Sequence, residues 1–456
     1  MSALVPSLDN MDVTNARPLI APPRSLPELR TLIDGVDVGL VQLLNERSRL
    51  VMEVGLRKAS DGTPVYAPHR EQAVLARVLS LNSGPTLPAT IESIWREIMS
   101  GSFALERPLR IGYLGPRGSF SHDAAVKQFG SSVAFEDLRT IAGVFEEVAR
   151  GNVDYGVVPV ENGAIGAVAE TLDAFVGFAD RVSICAEMAL SVAHALIVAP
   201  GTVPADVCEI SSKPEAIAQC RRWLATQYPN ARLTPAASSS AAVAAIADRV
   251  EIDPISARTS AAIGSSLAAR LYDLPILFSD IQDCIPNVTR FLVLCARGTR
   301  AADGAASGED KTSVVFALDH VAGALVDALD AFRAANINLT HIEKRAVTAA
   351  QMASLVASAD FKAPLSPTAT PSHLTQQQQQ QQQQVSSSLA AISPSLLVPS
   401  SVGGVGGAPP NYLYVFFVEF EGHRSEAHVN TAIERAGKHC RMLMVLGSFP
   451  RARRVL

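Results

Sequence analysis

From Ser25 onward, apolar side chains recur at Leu29, Leu32, Ile33, Val36, Leu40, Leu43, Leu44, Leu50, Val51 and Val54. This three-or-four-residue spacing marks one face of an α-helix and is sustained to about Lys58. Ser25-Leu26-Pro27-Glu28 opens the pattern as a capping box with proline in the first turn, which gives the first free amides partners. Roughly thirty residues at about 1.5 Å each make a rod of about 45 Å, too long for one small domain to cover its stripe. The pattern therefore predicts a partner chain. Asp61-Gly62-Thr63-Pro64 breaks the rod. A second helix is predicted from Pro68 to about Leu81, and a third from Pro88 to about Glu106 with Ile91, Ile94, Trp95, Ile98 and Met99 on one face.

The period changes at Pro108. Short apolar runs at 110–114, 155–160, 193–198, 261–263 and 291–295 alternate with helical patterns at 140–150, 214–226 and 238–247, which predicts α/β structure with several crossovers. After a charged, glycine-rich stretch at 298–311, strand, helix, strand is expected over 312–344 and again over 412–446. Between the two sets, residues 347–411 hold nine consecutive glutamines (376–384), with serine, proline and Gly403-Gly404-Val405-Gly406-Gly407. Such a composition cannot bury enough apolar surface to offset its ordering entropy. It is read as a disordered insertion inside one βαββαβ domain, because neither half could close a core alone. The expected organisation is a disordered leader (1–24), an all-helical segment (25–106), a two-lobed α/β segment (108–298) and a βαββαβ segment (312–450).

At 456 residues the chain is long enough for about three cores. No apolar run approaches the roughly 18 residues needed to span a membrane, and the leader lacks a basic start followed by an apolar run. The six cysteines are scattered and never form C-x-x-C, which fits reduced thiols in a cytoplasmic protein better than a disulfide or zinc framework. That placement weakens a competing reading of Asn287-Val288-Thr289, which satisfies the N-glycosylation pattern. A net charge of −5 with mixed signs gives no general pull toward nucleic acid, so any basic cluster has a local purpose.

Such a cluster lies on the helices. Arg47 and Lys58 are eleven residues apart, so at about 100° per residue they share a face three turns apart and could grip two ends of one ligand. Arg30 is turned about 100° away from Arg47 and would more easily serve a site on a partner chain. Arg70 and Glu71 start the second helix, and Ser102 and Glu106 sit one turn apart at the end of the third. Singly, each of these reads as a solvated helix-face charge. As a set, carried by "LRTLIDGVDVGLVQLLNERSRLVMEVGLRK", "PVYAPHREQAVL" and "IWREIMSGSFALE", they resemble the all-helical chorismate mutases fused to bacterial prephenate dehydratases. The resemblance implies that Arg30, Arg47, Lys58 and Arg70 are substrate-binding cations, that Glu71, Ser102 and Glu106 are their polar partners, and that Arg30 crosses into the neighbour's site. Rearrangement of a dianion needs no nucleophile, metal or cofactor, only a pinned conformation and positive charge where the ether oxygen becomes negative. Ala67 stands where some relatives carry an acid, and Glu106 where some carry glutamine. A protonated Glu106 is therefore expected to hydrogen-bond the ether oxygen, and mutase activity to decline as pH rises.

Residues 110–297 resemble the prephenate dehydratase domain through "GYLGPRGSFSHDAA", "DYGVVPVENGAIGAVAETLD", "SSKPEAIAQC", "AAIGSSLAARLYDLPIL" and "NVTRFLVL". The resemblance implies two lobes similar to periplasmic binding proteins, with the site between them. It makes Thr289 of the Thr-Arg-Phe motif the hydroxyl that protonates the departing ring oxygen as prephenate loses CO2 and water. Asn162, Ser212, Gln219, Asn287, Arg290 and Phe291 match other cleft positions, and Ser119 and Ser121 lie in the glycine-rich turn after the first strand. That turn lacks the Walker lysine-serine ending and the dinucleotide spacing, so a nest for the substrate carboxylate is expected. The serines also read as ordinary caps or turn residues. Lys213, Glu215 and Gly163 depart from the family pattern.

Residues 312–450 resemble an ACT domain, a regulatory module that binds phenylalanine between paired domains. Gly323-Ala324-Leu325 matches its glycine-centred loop, and the stretch holding Glu343 and Arg345 matches its second effector motif, with Lys344 and Ala346 in place of serine and proline. The whole resembles the bifunctional chorismate mutase/prephenate dehydratases of phenylalanine biosynthesis. That implies chorismate and prephenate as substrates, L-phenylalanine as effector, no cofactor or metal, and a homodimer or higher oligomer. A chain with one surviving activity, or a non-catalytic amino-acid sensor, are the alternatives. A sensor would not need the helical cation set.

Overall fold

Ser25 caps the first helix in the computed structural model as its sequence predicts: its amide donates to Glu28 Oε2 at 2.8 Å, and the Glu28 amide reaches back to Ser25 Oγ at 3.4 Å. Residues 24–164, 166–301, 304–319, 321–362 and 413–452 are described. Helix α1 runs from Leu26 to Asp61 over 36 residues, and none of them is buried. Its apolar stripe faces outward, with Leu32, Val36, Leu40 and Leu43 each more than half exposed. Helices α2 (Pro68–Leu81) and α3 (Pro88–Glu106) follow, each with proline at its start, where the missing amide costs nothing.

The chain separates into two compact units inside α1, residues 1–54 and 55–456. Beyond that division, α2 and α3 pack on the α/β segment that follows them. Tyr66, before α2, is fully buried, with ring centroids 4.8 Å from Phe129 and 5.0 Å from Tyr155. Phe103 of α3 joins the same core, so α2 and α3 share apolar residues with the α/β segment.

That segment builds two sheets. The first contains β1 (Arg110–Leu114), β2 (Ala134–Leu138), β3 (Tyr155–Asn162), β4 (Gly166–Ala167), β5 (Val182–Ser191) and the long returning strand β11 (Val288–Ala296), in the order β2-β1-β3-β11-β5. Helices α4 (Phe120–Phe129), α5 (Ile141–Arg150) and α6 (Ala169–Phe178) pack on it. The second contains β6 (Ala195–Val198), β7 (Glu209–Ser212), β8 (Arg232–Pro235), β9 (Ser260–Gly264) and β10 (Ile276–Phe278) in the order β10-β6-β9-β7-β8, with α7 (Pro214–Gln219), α8 (Arg221–Gln227), α9 (Ser239–Ile252) and α10 (Ser266–Leu271). The chain leaves the first lobe after β5 and returns to it at β11, so two segments connect the lobes.

The last sheet is antiparallel, in the order β13-β15-β12-β16-β14: β12 (Asp310–Ala317), β13 (Leu339–Val347), β14 (Phe361–Lys362), β15 (Leu413–Glu421) and β16 (Met442–Pro450). Helix α11 (Ala324–Ala334) and a final helix, Ala427–Lys438, cover one face. The other face docks on the first lobe so closely that a Cβ at Gly447 of β16 would sit 2.1 Å from the Ile184 carbonyl oxygen of β5, and only glycine fits there.

One expectation fails in this region. Residues 347–362, assigned to the disordered insertion, form the end of β13, helix α12 (Ala349–Ser358) and β14. Thr348 and Gln351 make a reciprocal capping box, and Met352 and Leu355 are buried in the core that includes Phe175 and Leu446. The glutamine tract lies outside the described residues.

Candidate active sites

The helical cations are distributed as follows. Arg30 is exposed and Arg47 half-buried along α1. Lys58 Nζ pairs with Glu106 Oε2 at 2.8 Å and donates to the Val65 carbonyl at 3.0 Å. Both charged groups line a cavity of about 380 Å³ that also receives Arg107 and Arg300. Glu106 comes from the last turn of α3, and Gly55 lets the two helices approach: a Cβ there would meet Glu106 at 3.1 Å.

Glu71 and Arg96 form a second pair at 2.9 Å, and Arg96 also donates to the Gln128 carbonyl at 2.8 Å. Burial pushes the Glu71 carboxyl up to about 7, against the pull of Arg96 and, more weakly, Lys58. Arg96 is absent from the sequence-based set. It stands beside Trp95 on α3, and no local pattern marks it. Arg70 is exposed, and buried Ser102 donates to the Ile98 carbonyl at 2.8 Å.

The cleft site is built on register. Strands β3 and β11 are antiparallel, and their pairing sets Asn162 directly opposite Thr289. Asn162 Nδ2 therefore donates to Thr289 Oγ1 at 2.7 Å and to Asn287 Oδ1 at 3.2 Å. A register irregularity follows at once, between Arg290 and Phe291, of the kind that re-aims side chains beside functional positions. Asn287 Nδ2 donates to Gln219 Oε1 at 3.1 Å, which brings a second-lobe residue from α7 to the first-lobe pair. Asn162, Gln219, Asn287 and Thr289 thus form one connected set. Gln219 Oε1 also lies 2.7 Å from Nε2 of His194, a residue the sequence-based list does not contain. His194 lies near the start of the apolar run 193–198, just before β6.

The glycine-rich turn joins the lobes. Ser265 Oγ donates to the Gly118 carbonyl at 2.8 Å, and Ser240 Oγ donates to the Arg117 carbonyl. Gly118 has φ +83°, and a Cβ there would approach Ser240 Oγ to 2.8 Å, so both backbone and packing demand glycine. Ser119 caps α4, accepting from the His122 amide at 3.2 Å and donating to the Leu114 carbonyl at 3.0 Å. Ser121 is buried in that helix. Ser212 is fully buried and donates to the Ile263 carbonyl at 2.7 Å, with Ser239 Oγ 3.0 Å from its oxygen.

Two expected cleft contacts are placed elsewhere. Arg290 points to the other side of β11, where carboxylates of Glu161, Glu187 and Glu419 lie at 3.3, 3.1 and 2.8 Å. It ties the first lobe to β15 of the last sheet, because adjacent strand residues face opposite ways. Phe291 is 1% exposed and belongs to the core with Tyr113, Phe129 and Tyr155.

In the last sheet, Gly323 has φ +91° and is the N-cap of α11, with Ala324 and Leu325 in the first turn. Arg345 is engaged by Asp173 of α6 through hydrogen bonds of 2.8 and 2.6 Å. Glu343 is half-buried on β13. An open cavity of about 1000 Å³ on this sheet unit is lined by other residues, among them Asp330, Arg333, Asn338 and His428. Among the described residues, no helix is long and apolar enough to cross a membrane, and no His/Cys/Asp/Glu cluster is placed to hold a metal.

The chorismate mutase type II family matches residues 29–107, and the prephenate dehydratase family matches residues 111–299. A solved prephenate dehydratase in complex with L-Phe from Arthrobacter aurescens is 26% identical, with a TM-score of 0.56 over 75% of this chain and 90% of that one. The bifunctional chorismate mutase/prephenate dehydratase of Aquifex aeolicus is 32% identical over 94% of this chain and 98% of its own length. That of Pseudomonas aeruginosa is 34% identical over the same shares. Near end-to-end similarity across both the cation-bearing helices and the cleft strands places the chain in the bifunctional chorismate mutase/prephenate dehydratase family.

Proposed function

We propose a division of labour for the two activities of this family within the chain. The helices carry chorismate to prephenate. Lys58 and Arg47 supply fixed positive charge to the dianion, Arg70 and Ser102 assist in binding, and Glu106 faces the ether oxygen that becomes negative. Arg30 serves the site of a second copy, and the outward apolar stripe of α1 supports a homodimer formed along that helix. The cleft then carries prephenate to phenylpyruvate. The bond to the ring carboxylate breaks and its electron pair enters the ring. The ring C–O bond breaks as Thr289 gives its proton to the departing oxygen, so CO2 and water leave and the product becomes aromatic. Solvent restores the Thr289 proton. Aromatisation provides most of the driving force, which is why a weak acid held in place suffices.

The observation that carries the cleft assignment is the Asn162 to Thr289 hydrogen bond of 2.7 Å. It occupies the threonine oxygen as an acceptor and leaves the hydroxyl proton available to donate. The last sheet acts as an ACT domain with L-phenylalanine as its effector. Support comes from the two strand-helix-strand sets, β12-α11-β13 and β15 to β16 around the final helix, the left-handed Gly323 at the head of α11 and the L-Phe in the Arthrobacter structure. The test is turnover of chorismate by purified protein, following chorismate loss and phenylpyruvate formation separately, with wild type and Thr289→Ala in parallel. Both products are expected from wild type, and accumulation of prephenate from Thr289→Ala. Phenylpyruvate made at the wild-type rate by Thr289→Ala would remove Thr289 from the chemistry.

A further inference from the structure

We infer that His194 is a positioning residue for the dehydratase reaction: its Nε2–H fixes the direction of a hydrogen-bonded amide chain that ends at Thr289 and makes the threonine hydroxyl a donor. The inference rests on the assignment of Thr289 as the proton donor.

The chain runs His194, Gln219, Asn287, Asn162, Thr289, with successive separations of 2.7, 3.1, 3.2 and 2.7 Å. Each amide in it could be reversed by exchanging its oxygen and nitrogen, so something must set the direction. At one end the setter is backbone. The Ala164 amide, which can only donate, reaches Asn162 Oδ1 at 3.0 Å. The Asn162 oxygen is therefore fixed away from Thr289 and its NH2 faces both Thr289 and Asn287. Asn287 must then offer its oxygen to Asn162 and its NH2 to Gln219, and Gln219 must offer its oxygen. An oxygen that already accepts from Asn287 needs a donor on its other side, and His194 Nε2 stands there. The Nδ1–H tautomer would set a lone pair against a lone pair at 2.7 Å and push Gln219 to turn over, which reverses the polarity of the chain.

The site is built to hold one tautomer. His194 is 2% exposed, and its Nδ1 has no hydrogen-bond partner among the described residues, so Nε2 is where a proton gains stabilisation. Phe120 packs edge-on against the ring at 5.3 Å, and the His194 backbone is held on both sides: its amide donates to Gln282 Oε1 at 2.8 Å and its carbonyl accepts from Ile281 at 3.0 Å. Burial keeps the imidazole below its ordinary range, with the Gln219 bond opposing, so the ring is neutral at neutral pH and its tautomer matters. The location also matters. His194 lies in the segment leaving the first lobe, Asn287 in the segment returning to it, and Gln219 in the second lobe. The chain therefore reports the relative setting of the lobes to the hydroxyl.

The experiment uses the full-length protein. His194→Leu removes the donor, whereas His194→Gln places an amide NH2 near the position of Nε2. Dehydratase kcat of His194→Leu is expected to fall on the order of 10- to 100-fold with little change in KM for prephenate, the scale of a misdirected catalytic group. His194→Gln should recover most of the loss, and mutase activity, the internal check on folding, should be unchanged in both. Equal kcat in the two variants with mutase intact, or a loss confined to KM, overturns the inference. If His194→Leu does not accumulate as folded protein, 15N NMR of the intact chain, assigned by the signal missing in His194→Gln, reads the tautomer directly. The Nε2–H form is expected and the Nδ1–H form overturns the inference. Thr289→Ala measured alongside separates the two levels: full turnover there refutes the Thr289 assignment, whereas its loss together with wild-type kcat in both His194 variants refutes the His194 inference alone.

Discussion

Helix α1 and strand β11 each carry residues assigned to chemistry, and they meet solvent in opposite ways. None of the 36 residues of α1 is buried, whereas every residue of β11 is buried or half-buried between β3 and β5. A strand inside a sheet finds its partners by register, so Thr289 meets Asn162 within one chain. Helix α1 instead carries its cations beside an apolar stripe that no described residue buries. Burying a Leu side chain fully contributes about 1.5–3 kcal/mol, and the many exposed leucines of α1 have that gain still to make.

The sharpest way to break the comparison is to show that the two sites depend on each other. Lys58→Ala should lower mutase turnover on the order of 100- to 1000-fold, the scale of removing one fixed charge from a developing anion. Dehydratase turnover on supplied prephenate should hold within about twofold, because Lys58 is held by Glu106 and the Val65 carbonyl and the expected loss belongs to one transition state. The check is steady-state kinetics on each substrate. Parallel loss of both activities would mean that the helical and cleft regions act as one catalytic unit. Tyr66 and Phe103, buried in the first-lobe core, provide the route by which that could happen.

The next effect concerns stability. Leu355 of α12 is 2% exposed in the core shared by the first lobe and the last sheet. Leu355→Ala should cost about 2–5 kcal/mol, seen as a lower urea midpoint for the α/β transition with both activities retained in buffer. An unchanged midpoint would return residues 347–362 to the status of a dispensable insertion.

That correction shows what the chain made legible. Helices α2 and α3 begin and end where apolar spacing and proline put them, because each signal is local. The Asn162 to Thr289 pairing was legible as a set of motif residues, but the pairing itself depends on a register between strands more than a hundred residues apart. Arg290 was misplaced because a motif names a residue without naming its face, and alternation along β11 turns it toward Glu187 and Glu419. His194 and Arg96 were missed because each acts on a residue distant in sequence. Helix α12 was hidden by the composition after it, although Thr348, Gln351, Met352 and Leu355 carry a capping box and a helical apolar pair.

The smallest effect concerns the joint behind β11. Burial pushes the Glu187 carboxyl up, but Lys311 and Arg290 together outweigh it and hold the group below the ordinary carboxylate value of 4.5. Burial likewise opposes the Arg290 cation, and Glu419 and Glu187 outweigh it and push its pKa up. A carboxylate whose pKa is depressed on folding adds stability at pH above its unfolded value and loses that contribution as pH falls through the folded one. Wild type should therefore exceed Glu187→Gln in stability by most at neutral pH, and the gap should close only as pH drops below 4.5. Urea midpoints of the two proteins from pH 7 to 3.5 measure the gap. A gap that stays constant across that range would mean that Glu187 acts through packing alone, and that the face of β11 turned away from Thr289 is held without its charges.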